Sequence, residues 1–158
     1  DSKTLTELDC CTSIGSIVWN QCKTYLTDDS SKTRLIYSSD IVNNDLSIKT
    51  YKDKKKKNYI NKKGLNNPLL VVNRGYGSSS YNFIYCLIKG EFEYLIENHL
   101  ICVNKKYNDM SKEENILFYK KIIESLDCDK TKKFINLYFG NNCINATELL
   151  NILPIYGF

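Results

Sequence analysis

Ser79-Ser-Tyr-Asn-Phe-Ile-Tyr-Cys-Leu-Ile-Lys-Gly-Glu-Phe-Glu-Tyr-Leu-Ile-Glu-Asn-His-Leu-Ile-Cys-Val-Asn-Lys105 is the stretch whose reading decides the fold. Ile84, Leu87, Ile88, Phe92, Leu95, His99, Cys102 and Val103 fall on one helical stripe, which predicts a helix over 79–105. Ser78, Ser79 and Ser80 offer N-caps, and Gly90 allows close packing or a kink. Cys86 and Cys102 would then lie roughly 24 Å apart along the helix, too far to bond to each other.

Downstream, Ser111 and Glu114 form a capping box ahead of Ile116, Phe118, Tyr119, Ile122, Ile123 and Leu126. Asp129 opens a shorter helix that Gly140 stops, and Asn145 begins a last turn or two that Pro154 ends. Upstream, Leu5, Leu8, Cys11, Ile14, Val18, Cys22 and Tyr25 carry a helical period over 3–27, with Thr4 and Glu7 as a second capping box. Residues 32–77 read as a mostly irregular connection. Within it, Arg34–Tyr37 and Leu46–Tyr51 have some strand character, and Leu69–Val72 reads as a buried strand or a helix start. Gly75-Tyr-Gly77 is too short for a phosphate-binding loop.

The expected fold is therefore mainly α: one domain over 1–158, with two small helical halves (1–31 and 78–158) joined by 32–77. The alternative is a lipocalin-like β-barrel, with eight strands across 15–103 and a helix at 112–126.

Cysteine usage sets the expected compartment. The chain has seven: Cys10, Cys11, Cys22, Cys86, Cys102, Cys128 and Cys143. No C-x2-C pair occurs and His99 is the only histidine, so neither a metal site nor a cofactor is expected. Seven cysteines on a chain that begins at Asp1 predict a disulfide-stapled secreted protein whose signal peptide has been removed. The odd cysteine allows a covalent homodimer. Asn145-Ala146-Thr147 is a candidate glycosylation site at Asn145. No apolar run reaches the ~18 residues of a membrane span. Abundant Asn, Ile, Lys and Tyr beside one Ala and two Arg report an AT-rich genome.

Chemistry is sparse. His99 lies on an apolar stripe, where a structural histidine is the plainer reading. Glu91, Glu93 and Glu97 do not form a paired-carboxylate site, and no nucleophile elbow is present. An enzyme is not expected. The basic run Lys52–Lys63, with Tyr59 inside it and no arginine, reads as a solvated loop, and nucleic acid is not expected as a partner. Twelve tyrosines suit a recognition surface.

Cys86–Tyr94–Cys102 is a cysteine–tyrosine–cysteine arrangement, and Cys128–Tyr138–Cys143 is a second, looser one. Together they resemble the bicycle family of aphid salivary effectors. That resemblance implies a secreted helical protein delivered into plant tissue, with a host protein as partner and no catalytic residues. A lipocalin-like small-ligand binder and a secreted viral or protozoan decoy are the other readings left open by the sequence.

Overall fold

The computed structural model describes residues 1–74, 82–140 and 142–158. The expected caps at Ser78, Ser79 and Ser80 and the Gly75–Gly77 triplet lie outside these residues. The mainly α expectation is overturned. Among the described residues the chain forms twelve strands in four sheets and three short helices.

Over its described residues, 82–105, the deciding stretch is not a helix. It forms β9 (Tyr85–Ile88), β10 (Tyr94–Ile96) and β11 (Leu100–Lys105). Strands covered on both faces are apolar nearly throughout, so spacings of three and four arise without helical meaning. Tyr, Ile and Val, which favour the pleated backbone, supply six of the thirteen residues in these strands. Gly90 breaks it at φ +78°, and a Cβ there would stand 2.4 Å from the Asn66 carbonyl oxygen.

The central sheet runs β2 (Cys10–Ile14), β11, β8 (Leu69–Asn73), β9, all antiparallel. One face carries Cys10, Leu70, Val72, Tyr85, Ile101 and Val103. It packs on Tyr119, Ile122 and Leu126 of α1 (Lys112–Asp127) and on residues of α2 (Asp129–Tyr138) and α3 (Ala146–Asn151). The other face carries Leu69, Val71, Cys86, Ile88, Leu100 and Cys102, and meets Ile36, Tyr94 and Ile96 of a second sheet. That sheet runs β10, β4 (Thr33–Ile36), β7 (Tyr59–Ile60), β3 (Leu26–Thr27), with β10 and β4 parallel. Its outer face carries Leu35 and Ile60, which with Tyr37 and Leu95 are covered by Trp19, Cys22, Leu26 and Tyr51. The layers are thus helices, sheet, sheet and an aromatic cap.

Two small ribbons complete the fold. β1 (Ser2–Lys3) pairs with β12 (Ile155–Tyr156), joining the two ends of the chain. β5 (Ile41–Val42) and β6 (Asp45–Leu46) form a hairpin across Asn43 and Asn44, both at positive φ, the two-residue turn that Asn tolerates.

Residues 1–31 also lose their helix. The Thr4–Glu7 capping box is present: the Glu7 N–H donates to Thr4 Oγ1 at 3.2 Å and the Thr4 N–H to Glu7 Oε1 at 2.9 Å. The turn then ends at Asp9, whose φ of 58° is left-handed, and β2 begins. Trp19–Gln21 and Lys23–Tyr25 are single 3-10 turns. Residues 32–74 hold β4 to β8 rather than an irregular connection. The C-terminal readings fare better. Ser111 caps α1 through Glu114, and Asn145 caps α3 through Glu148. The helix at 112–126 in the barrel alternative falls on α1, but the strands divide among open sheets rather than closing into a barrel.

The disulfide framework is also corrected, since all seven cysteines are free. Cys86 and Cys102 both sit in register with Val71, on opposite sides of β8. Two strand spacings, roughly 10 Å, separate them, beyond the ~7 Å reach of a disulfide. Cys10 and Cys11 point to opposite faces of β2, one buried and one exposed. The first cysteine–tyrosine–cysteine motif accordingly spans three strands, β9, β10 and β11, and loses the helix that carried it.

Candidate nucleic-acid interface

The aromatic cap is where charge collects. Residues 16–66, which supply β3 to β7, carry eleven of the chain's 22 lysines and arginines but five of its 18 acids. Their formal net charge is +6, whereas the rest of the chain nets −2. Arg34 is paired with buried Asp40 and Lys57 with Asp28, so the excess rests on exposed lysines such as Lys52, Lys54, Lys55, Lys62 and Lys63.

A buried carboxylate organises the cap. Asp40 is fully buried; its Oδ2 accepts the Tyr37 N–H at 3.0 Å and its Oδ1 accepts the Tyr51 hydroxyl at 2.7 Å. The Arg34 guanidinium stands 3.9 Å from Asp40 and donates to the Ser47 carbonyl at 2.6 Å. Ser47 in turn donates its N–H to the Asp40 carbonyl at 2.7 Å. Tyr37 and Tyr51 lie with ring centroids 5.0 Å apart, tilted at 60°. Burial raises both phenols well above the usual tyrosine range. The Glu97 and Asp40 charges add to this at Tyr37, and a hydrogen bond to Asp40 adds to it at Tyr51.

The basic run folds over these rings. The Asp53 side chain accepts the Lys55 N–H at 2.9 Å and its carbonyl accepts the Lys56 N–H at 3.0 Å, closing a turn. Lys56 Nζ then lies 4.4 Å from the Tyr51 ring centroid, 4.5 Å from Tyr37 and 5.7 Å from Trp19. Lys57 gives its carbonyl to the Tyr37 hydroxyl at 2.7 Å and its ammonium to Asp28 at 2.7 Å. Asn58 donates to the Lys49 carbonyl at 2.8 Å and accepts the Leu35 N–H at 2.8 Å. Lys23 stands 5.6 Å over Trp19 and Lys62 4.6 Å over Tyr25. Lys52, Lys54, Lys55 and Lys63 are exposed. A cavity of about 280 Å³ is lined by Asp28, Thr50, Tyr51, Lys54, Lys56, Lys57 and Asn58.

The other sequence candidates lie apart from the cap or at its edge. Glu97 is buried, and its Oε1 accepts from His99 Nδ1 at 2.6 Å and from the His99 N–H at 3.1 Å. Gly15 and Ile17 run directly beside this turn, with the Ile17 carbonyl accepting the Asn98 N–H at 2.8 Å. Tyr94 is fully buried and its hydroxyl donates to the Asn67 carbonyl at 2.5 Å, which makes it a core residue. Tyr138 is half-exposed and stacks on Phe134 at an interplanar angle of 7°. Asn145 caps a helix with an exposed side chain.

Cys10, Cys86 and Cys102 are buried in the two apolar cores. Burial pushes their thiols up to about 12, about 11 and about 12. Cys128 differs. Burial opposes ionisation there, but hydrogen bonds from the Thr131 side chain and from the Thr131 and Lys130 amides outweigh it and lower the thiol. Among the described residues no three His, Cys, Asp or Glu side chains converge as metal ligands. No described helix is long and apolar enough to cross a membrane.

The lysine run is plain in the sequence, but its aromatic partners are not. Trp19, Tyr37 and Tyr51 are spread over 33 positions, and only β4 and the Asp40 hub bring them together. No family model matches the chain, and no significant match was found among curated proteins or solved structures.

Proposed function

We propose that this chain is a binding module, not an enzyme, and that its aromatic cap binds nucleic acid through the phosphate backbone. The observation that carries this reading is the segregation of charge onto residues 16–66, at a net +6, with the lysine run held in a defined place. Fixed, exposed lysines release condensed counterions on meeting phosphates, and this drives association without base contacts. Interleaved rings shape the surface and hold the long lysine side chains.

The reading departs from the expectation of a solvated loop because Lys56 and Lys57 are held on Tyr37, beside β4, and Asn58 accepts the Leu35 N–H of β4 itself. It does not depend on the expected secretion, which the free cysteines leave without its disulfide argument.

The test is fluorescence anisotropy with a labelled duplex at low salt. Lys54→Glu with Lys55→Glu should weaken binding at least about tenfold, or about 1.4 kcal/mol. Lys120→Glu with Lys133→Glu, on the helix layer, should leave binding near wild type. Equal losses for both pairs, or no binding by the wild-type chain, would reject the cap as the interface.

A further inference from the structure

We infer that Lys56 is a positioning residue, which fastens the basic loop to the sheet so that Lys54 and Lys55 are presented outward; this rests on the nucleic-acid reading above. Lys54 and Lys55 are exposed, whereas Lys56 is half-buried with its ammonium within 6 Å of three rings. Those rings are themselves held. The Tyr51 hydroxyl donates to Asp40, the Tyr37 hydroxyl to the Lys57 carbonyl, and Trp19 packs on the cluster formed by Ile17, Leu35, Tyr37, Ile60 and Leu95.

The turn's other ties at its tip are local. The Asp53 bonds to Lys55 and Lys56 close the turn but do not join it to the sheet. Lys57 and Asn58 hold the arm that follows, through Tyr37, Asp28 and Leu35, and Lys56 is the side chain that extends this docking to the tip of the turn. An undocked loop must be ordered when ligand binds, and that cost lowers affinity beyond the loss of one charge.

The clamp predicts that Lys54 and Lys56, two residues apart, respond differently to the same substitution. Lys54→Met removes one phosphate contact and leaves the loop in place. Lys56→Met removes the anchor and disengages its neighbours. Lys56→Arg keeps a cation that stacks on aromatic faces, and retains the docking.

The experiment uses the full chain with Lys54→Met, Lys56→Met and Lys56→Arg, each measured in two ways. Without nucleic acid, Lys56→Met should speed tryptic cleavage after Lys54 and Lys55 by roughly tenfold, as expected of a locally opened loop. It should also shift the emission of Trp19, the only tryptophan. With a labelled duplex, Lys56→Met should weaken binding more than Lys54→Met does and flatten the salt dependence by more than the ~0.9 expected per phosphate contact. Lys56→Arg should restore both readouts. Wild-type cleavage and emission in Lys56→Met would overturn the clamp. Affinity and salt slope equal to those of Lys54→Met would instead make Lys56 one phosphate contact among several. If the wild-type chain binds no duplex, the proteolysis and emission results still decide the clamp, and the failure belongs to the functional reading.

Discussion

Cys10, Cys86 and Cys102 sit in apolar surroundings on the central sheet, and that placement decides their chemistry. Their thiols ionise near 9 in the unfolded chain, but only near 11 to 12 in the fold. A raised folded value means that the stabilising difference is complete below pH 9 and is lost as pH climbs toward 12. The melting temperature should therefore fall across that window and recover part of the loss in Cys102→Ala, read by circular dichroism against pH. Timed alkylation at pH 8 should leave these three thiols unmodified while Cys11, Cys22, Cys128 and Cys143 react, Cys128 first, because its thiol is lowered. Dithiothreitol should leave the melting temperature unchanged; a sharp drop would restore a disulfide framework. Cysteine number was plain in the sequence. Cysteine geometry was not, because Cys86 and Cys102 are set apart only by the strand between them.

At the scale of elements, the helices were legible because their signals are local. Ser111 with Glu114, Asn145 with Glu148, and Gly140 at φ 56° each act within a few residues. The strands were not, because long-range pairing makes them. Thr4–Glu7 formed the capping box that its residues encode, yet β2 follows, since tertiary pairing with β11 overrides a one-turn preference. Gly15 is part of that override. A Cβ at Gly15 would lie 2.2 Å from the Glu97 carbonyl oxygen, a backbone atom that cannot swing away. Gly15→Ala should cost about 1–3 kcal/mol of stability in urea melts, as overpacking does; a neutral result would mean that the two segments can separate freely. Asp40→Ala should be worse, about 3–5 kcal/mol, because it leaves the Arg34 charge buried without its carboxylate, the Tyr37 amide unpartnered and the Tyr51 hydroxyl with Ser39 alone.

Across the whole molecule, the four layers carry an asymmetric load. Helices and the central sheet bury the larger core, while the second sheet turns its outer face to Trp19, Tyr37, Tyr51 and the lysines. The lysine run was visible in the sequence, but its meaning depends on rings that come from Trp19 to Tyr51 and on a hub at Asp40 that no local pattern announces. The same layering separates the proposed interface from the helix surface, so charge changes on the two sides should act independently. The most direct measurement is the dependence of log Kd on log salt concentration for a DNA duplex, taken from low salt upward. The expected result is a straight line whose slope falls by about 0.9 for each of Lys54, Lys55 and Lys63 replaced by Gln. A flat line, or a slope that these replacements leave unchanged, would contradict it.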